Sequence, residues 1–115
     1  MLAARLQELR RHADVATMGM VRLELLAAIS DSAAYQRRAD LLDAVHHLPT
    51  TERHWDDAAG LGSELRRLGV TVPTTDLLIA AVAMASGATV LHRDRHFDLI
   101  ALHAPLLVES HVLSA

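Results

Sequence analysis

The chain contains no cysteine. That absence excludes a disulfide frame and any metal site built on thiolates, and it fits a reducing, cytoplasmic setting. Aromatic residues are almost missing too: one Trp, one Tyr and one Phe in 115 residues. Yet 51% of the chain is apolar. The core must therefore be built from Ala, Leu and Val, a composition that suits helices packed on a buried parallel sheet. No apolar run reaches the roughly 20 residues of a membrane helix, and the block Leu77 to Ala85 is too short. Met1 to Arg11 shows an Arg-bearing helical pattern without the apolar stretch of a secretory signal. An excess of positive charge is lacking as well. A formal charge of -3 speaks against a broad nucleic-acid-coating surface and leaves only a local basic rim, Arg93 and Arg95.

What is present is organised around Thr74 to Asp98. Pro73 stands where a proline is tolerated at a helix start, and Thr74 or Thr75 can cap the first turn. Leu77 to Ala85 is apolar throughout, which predicts a helix with no solvated face. Gly87 supplies a left-handed stop, and Ala88 to Leu91 reads as a strand covered on both sides. Before this block, Met1 to His12 is an amphipathic helix. Asp14 to Met20 is a strand, and Val21 to Ile29 is helical. Ser30-Asp31-Ser32 breaks the chain and caps a helix over Ala33 to His47. Thr51 to Leu68 is helical despite Gly60 and Gly62, and Gly69 ends it. Arg95 to Leu102 is a short helix, and Leu106 to Val108 is a last strand. Strands separated by helices imply an α/β domain with parallel pairing, at this length a single one.

Three acids stand where an acid needs a reason: Glu24, Asp76 and Asp94. Active sites of open parallel sheets form at the carboxyl ends of strands. Glu24 and Asp94 each follow a strand, and Asp76 opens the helix that leads into the second of these. Carboxylates converging there repel one another unless they share a cation, and oxygen ligands favour a hard ion such as Mg²⁺ or Mn²⁺. Each acid also has a plainer reading. Asp76 complements a helix dipole, Asp94 serves as an N-cap, and Glu24 is a solvated helix residue. Asp98 reads as a surface residue. Arg93 and Arg95 flank Asp94 and either hold a phosphate backbone or are surface charge. The eight histidines do not form a zinc pattern. His92 ends a strand while His96 enters a helix, so their spacing is not that of one helical face, and no HExxH arrangement occurs.

Thr-Asp-Leu-Leu-Ile-Ala-Ala at 75–81, followed by Gly-Ala-Thr-Val-Leu-His-Arg-Asp-Arg-His-Phe at 87–97, resembles the C-terminal half of a PIN domain. The closest likeness is to the ribonuclease toxins of bacterial toxin–antitoxin pairs. Val21 to Leu26 resembles the family's second acidic motif, and the likeness runs along nearly the whole chain from Val15. It implies a PIN-like parallel sheet flanked by helices, and Glu24, Asp76 and Asp94 as the acids that bind Mg²⁺ or Mn²⁺ and hydrolyse RNA. Thr75 lies beside that motif as a small polar support. The likeness also implies a homodimer and an inhibiting antitoxin protein. Chains of the family begin with an apolar strand that carries the first catalytic Asp. This one begins with the helix Met1 to His12, so the first central strand and its Asp are expected to be missing from residues 1–115. Neither Glu8 nor Asp14 takes that place, and lower stability and no cleavage are expected without it.

Two functions follow. The first is a metal-dependent endoribonuclease toxin. The second is a non-catalytic interaction module, a PIN domain that still binds a partner or pairs with itself. The helices over Ala33–His47 and Thr51–Leu68 are the expected contact surfaces.

Overall fold

The computed structural model describes residues 2–12 and 15–112. Contacts divide them into two units, one of Ala3–Pro49 and one from Thr50 onward.

The second unit is built on a helix with almost no solvated face. Helix α5 (Thr74–Ser86) buries Leu77, Leu78, Ala80, Ala81, Val82 and Ala83. Gly87 ends it at φ 65°, and its N–H returns to Ala83 and Met84. That left-handed conformation is one only glycine adopts freely. Helix α4 (Glu52–Arg67) packs along α5. Gly62, which weakens α4 as a sequence signal, has a packing reason: a Cβ there would lie 2.7 Å from Leu77 Cδ1. Strand β3 (Thr89–His92), helix α6 (Arg95–His103) and strand β4 (Leu107–Ser110) complete the unit. The strands pair in parallel from Thr89↔Leu107 to His92↔Ser110, as the alternation of strand and helix predicts. Phe97 and Ile100 are the buried residues of α6, and Ile100 has no exposed surface.

The first unit repeats the parallel pairing. It contains α1 (Leu2–His12), β1 (Ala16–Met18), α2 (Gly19–Ala27), α3 (Ser32–Asp43) and β2 (His46–Leu48). Strands β1 and β2 pair in parallel from Ala16↔His46 to Met18↔Leu48. Asp31 caps α3, its carboxylate accepting the Ala34 N–H at 2.8 Å.

Three sequence expectations are corrected. The helix expected over Ala33–His47 stops at Asp43, because the His46 N–H turns out to Val15 O at 3.0 Å and β2 forms instead. The strand expected from Asp14 to Met20 is shorter, since Gly19 already belongs to α2; Asp14 lies outside the described residues. Neither Thr74 nor Thr75 caps α5. Pro73 occupies the cap without a side-chain bond, and its carbonyl accepts the Asp76 N–H at 3.1 Å.

Candidate metal centre

Asp94 stands between β3 and α6 and caps α6. Its Oδ1 accepts the His96 backbone N–H at 2.9 Å, so the N-cap reading of the sequence holds. That backbone N–H is the main reason its carboxyl lies below the ordinary aspartate value of 3.8. Partial burial works the other way, while the nearby imidazoles of His96 and His92 lower the value further. A carboxyl lowered on folding stabilises the fold fully above its unfolded value and loses that contribution as pH falls through the lowered one.

The cap also fixes what faces Asp94. His96 is the second residue of α6, and its Nδ1 lies 2.8 Å from Asp94 Oδ1 and 3.3 Å from Asp76 Oδ2. Asp76 sits in the first turn of α5 and is buried, with 8% of its side chain exposed. One donor atom from each of Asp76, Asp94 and His96 lies within 4.8 Å of the other two. Helices α5 and α6 thus bring two carboxylates and one imidazole to a single point at the carboxyl end of β3. The position of Asp76 in a first turn also complements the helix dipole, and the two roles are compatible.

A second set of side chains holds the turn from behind. His92 ends β3 with 3% of its side chain exposed. Its Nδ1 accepts the Asp94 backbone N–H at 3.1 Å, so the ring proton is on Nε2 and is donated to Asp98 Oδ1 at 3.1 Å. The other oxygen of Asp98 accepts from Ser110 Oγ on β4 at 2.8 Å. The His92 ring also packs against Phe97, centroid to centroid 5.2 Å. Asp98 is therefore tied into the fold rather than a free surface acid. Replacing His92 by Ala leaves the Asp94 N–H and an Asp98 oxygen unmatched. Stability is expected to fall by about 1–3 kcal/mol, the cost of an unsatisfied buried group. Urea unfolding checks this, and an unchanged midpoint refutes the bracing role.

The remaining candidates are distributed as follows. Thr75 is half-buried beside Asp76, and Arg93 and Arg95 are exposed on either side of Asp94. Glu24 is exposed on α2, in the first unit. His96 was not among the residues chosen from sequence. Its signal was the cap itself: an N-cap Asp places the residue two positions later against its own carboxylate.

The family model described as PIN domain matches residues 2–102. The chain belongs to the PIN domain family. Ribonuclease VapC18 of Mycobacterium tuberculosis is 33% identical over 85 residues, which are 70% of this chain and 62% of that protein. The match thus spans less than two thirds of the relative's length. Among solved structures, VapBC2 of Rickettsia felis, bound to a DNA fragment from its promoter, superposes with a TM-score of 0.76. Its identity is 22%, over 94% of this chain and 83% of the other. VapBC-5 of M. tuberculosis, a member of the VapBC family of toxin–antitoxin systems, superposes with a TM-score of 0.56. It is 26% identical over 82% of this chain and 76% of the other. The α/β PIN fold expected from sequence is therefore the fold observed.

PIN ribonucleases depend on a divalent ion, and the residues of this PIN domain fit one. Two oxygen donors, one of them from a buried carboxylate, and one imidazole nitrogen converge to within 4.8 Å of one another, a donor set of the kind that divalent ions take. Like charges held this close need a positive group between them.

Proposed function

We propose that this PIN domain is a metal-dependent endoribonuclease toxin that hydrolyses RNA phosphodiester bonds and is neutralised by a cognate antitoxin protein. The observation that carries the reading is the convergence of Asp76, Asp94 and His96 at the end of β3. Similarity to a named ribonuclease, and to toxin–antitoxin structures, supports it.

Asp76 and Asp94 hold Mg²⁺ or Mn²⁺ in this reading. When bound, such an ion activates water and stabilises charge on the phosphodiester. The chain's own residues do the rest. The His96 N–H fixes the Asp94 carboxylate in its ionised form, ready to ligate. Burial of Asp76 keeps one ligand in a single orientation and excludes water from that side. Arg93 and Arg95, exposed beside the cluster, attract and orient the RNA phosphates. Thr75 supports Asp76 from the preceding position. Glu24 remains in the proposal as a further acid on the resemblance of Val21–Leu26 alone.

No helix among the described residues is long and apolar enough to cross a membrane, and in this reading the protein acts on RNA in the cytoplasm. For self-association and for the antitoxin, α3 offers exposed Tyr35 and Leu41, and α4 offers exposed Trp55.

The test is cleavage of end-labelled RNA by the purified, metal-free protein, both as residues 1–115 and with an upstream strand that carries the family's first Asp, before and after addition of Mg²⁺ or Mn²⁺. Residues 1–115 alone are expected to leave RNA intact, and the extended form is expected to cleave only with the ion and to stop on chelation. Cleavage that survives chelation, or RNA left intact by the extended form with either ion present, rules the reading out.

A further inference from the structure

We propose that His96 is itself a ligand of the metal centre, and that its nitrogen makes the site prefer a first-row transition ion over Mg²⁺. The inference rests on the metal-dependent reading above and narrows it.

The geometry comes first. The His96 atom that faces the carboxylates is Nδ1, at 2.8 Å from Asp94 Oδ1 and 3.3 Å from Asp76 Oδ2. Ligands at bonds of about 2.1 Å on adjacent corners of an octahedron lie about 3 Å apart. The two observed spacings bracket that edge. The placement is also short-armed. His96 enters through the first turn of α6, with its backbone N–H bonded to Asp94, so the ring does not depend on a flexible tether. With 37% of the side chain exposed, the cluster keeps an open side from which water and a phosphate oxygen can reach the ion.

Chemistry then sets the preference. Mg²⁺ is hard, demands oxygen and gives up water reluctantly. Imidazole nitrogen is suited to transition ions, whose selectivity is decided by donor type and geometry. Replacing one oxygen donor by nitrogen in a three-donor set therefore penalises Mg²⁺ more than Mn²⁺ or Co²⁺.

The opposing account makes His96 only a counter-charge, an imidazolium that neutralises the two aspartates. The accounts differ in sign. A counter-charge competes with the metal, so removing it strengthens binding; removing a ligand weakens binding.

The experiment uses the whole chain, stripped of metal, with Mn²⁺ and Mg²⁺ affinities measured separately by calorimetry. Electron spin-echo spectra of the Mn²⁺ form look for modulation from a coordinated ¹⁴N nucleus. Parent, His96→Ala and His96→Asp proteins are compared, and circular dichroism reports their folding. The parent is expected to show the nitrogen signal and to favour Mn²⁺. In His96→Ala, Mn²⁺ affinity is expected to drop about 10–100-fold, the range seen when support of a metal ligand is lost, with a smaller loss for Mg²⁺. In His96→Asp the nitrogen signal disappears and the preference for Mn²⁺ shrinks by about tenfold or more, because an oxygen donor is restored. If His96→Ala fails to fold, the parent's nitrogen signal and His96→Asp decide. Unchanged or tighter Mn²⁺ binding by His96→Ala, or a parent Mn²⁺ spectrum without nitrogen modulation, overturns the ligand role and leaves the metal-dependent reading standing. A parent that binds neither ion overturns both.

Discussion

Asp94→Asn is expected to reduce metal-dependent RNA cleavage by about 10²–10³-fold or more. A metal centre supplies several kcal/mol of charge stabilisation, and each 1.4 kcal/mol corresponds to a factor of ten in rate. The substitution keeps the shape of the side chain and keeps an oxygen that can accept the His96 N–H, so α6 retains its cap. It removes the negative charge that makes Asp94 a ligand. The fold should therefore survive, with a melting temperature near that of the parent. Cleavage assays and thermal melting of the same preparations check both halves. A variant that cuts RNA at the parent's rate removes Asp94 from the site. A variant that fails to fold shows that the charge, and not only the cap, holds the turn.

Ile100→Ala is expected to lower stability by about 2–5 kcal/mol, the cost of deleting a large core side chain into a site that relaxes only partly. Ile100 has no exposed surface, and α6, which carries it, packs on α5. A loss of that size is a large share of the roughly 5–15 kcal/mol that hold a domain together. The effect reaches function through position. Asp76 belongs to α5 and His96 to α6, so loosening one helix against the other spreads the donor atoms. Chemical unfolding measures the loss, and a change below about 1 kcal/mol means that the cavity collapses around the smaller side chain.

The second unit was legible because its signals agree with one another. The apolar run of α5, the glycine at 87 and the β-branched strand after it all point to the same boundaries. Asp94 was legible for the same reason, since an N-cap and a strand end coincide there. The first unit was harder. His46-His47-Leu48 has no strand signature, and Ala44-Val45 continues a helical pattern, so only pairing with β1 shows where α3 stops. Pairing across 30 residues (Ala16 to His46) is invisible to a local pattern. His96 escaped because histidines were tested against one helical face, whereas the cluster is assembled from the starts of two helices. His92 escaped because its partners, Asp98 and Ser110, lie on α6 and β4.

The pairing of β3 with β4 has a consequence for the order in which the protein is made. Among the described residues, β4 is the only strand bonded to β3, and it comes late in the chain. Ser110, which anchors Asp98 and through it His92, belongs to the same strand. Among the described residues, β3 gains its strand partner, and Asp98 its bond from Ser110, only once residues 107–110 have been made. Synthesis runs at about 5–20 residues per second, so the residues before β4 exist for seconds before that brace is complete. The brace behind the proposed metal centre is therefore among the last features of the described residues to be completed.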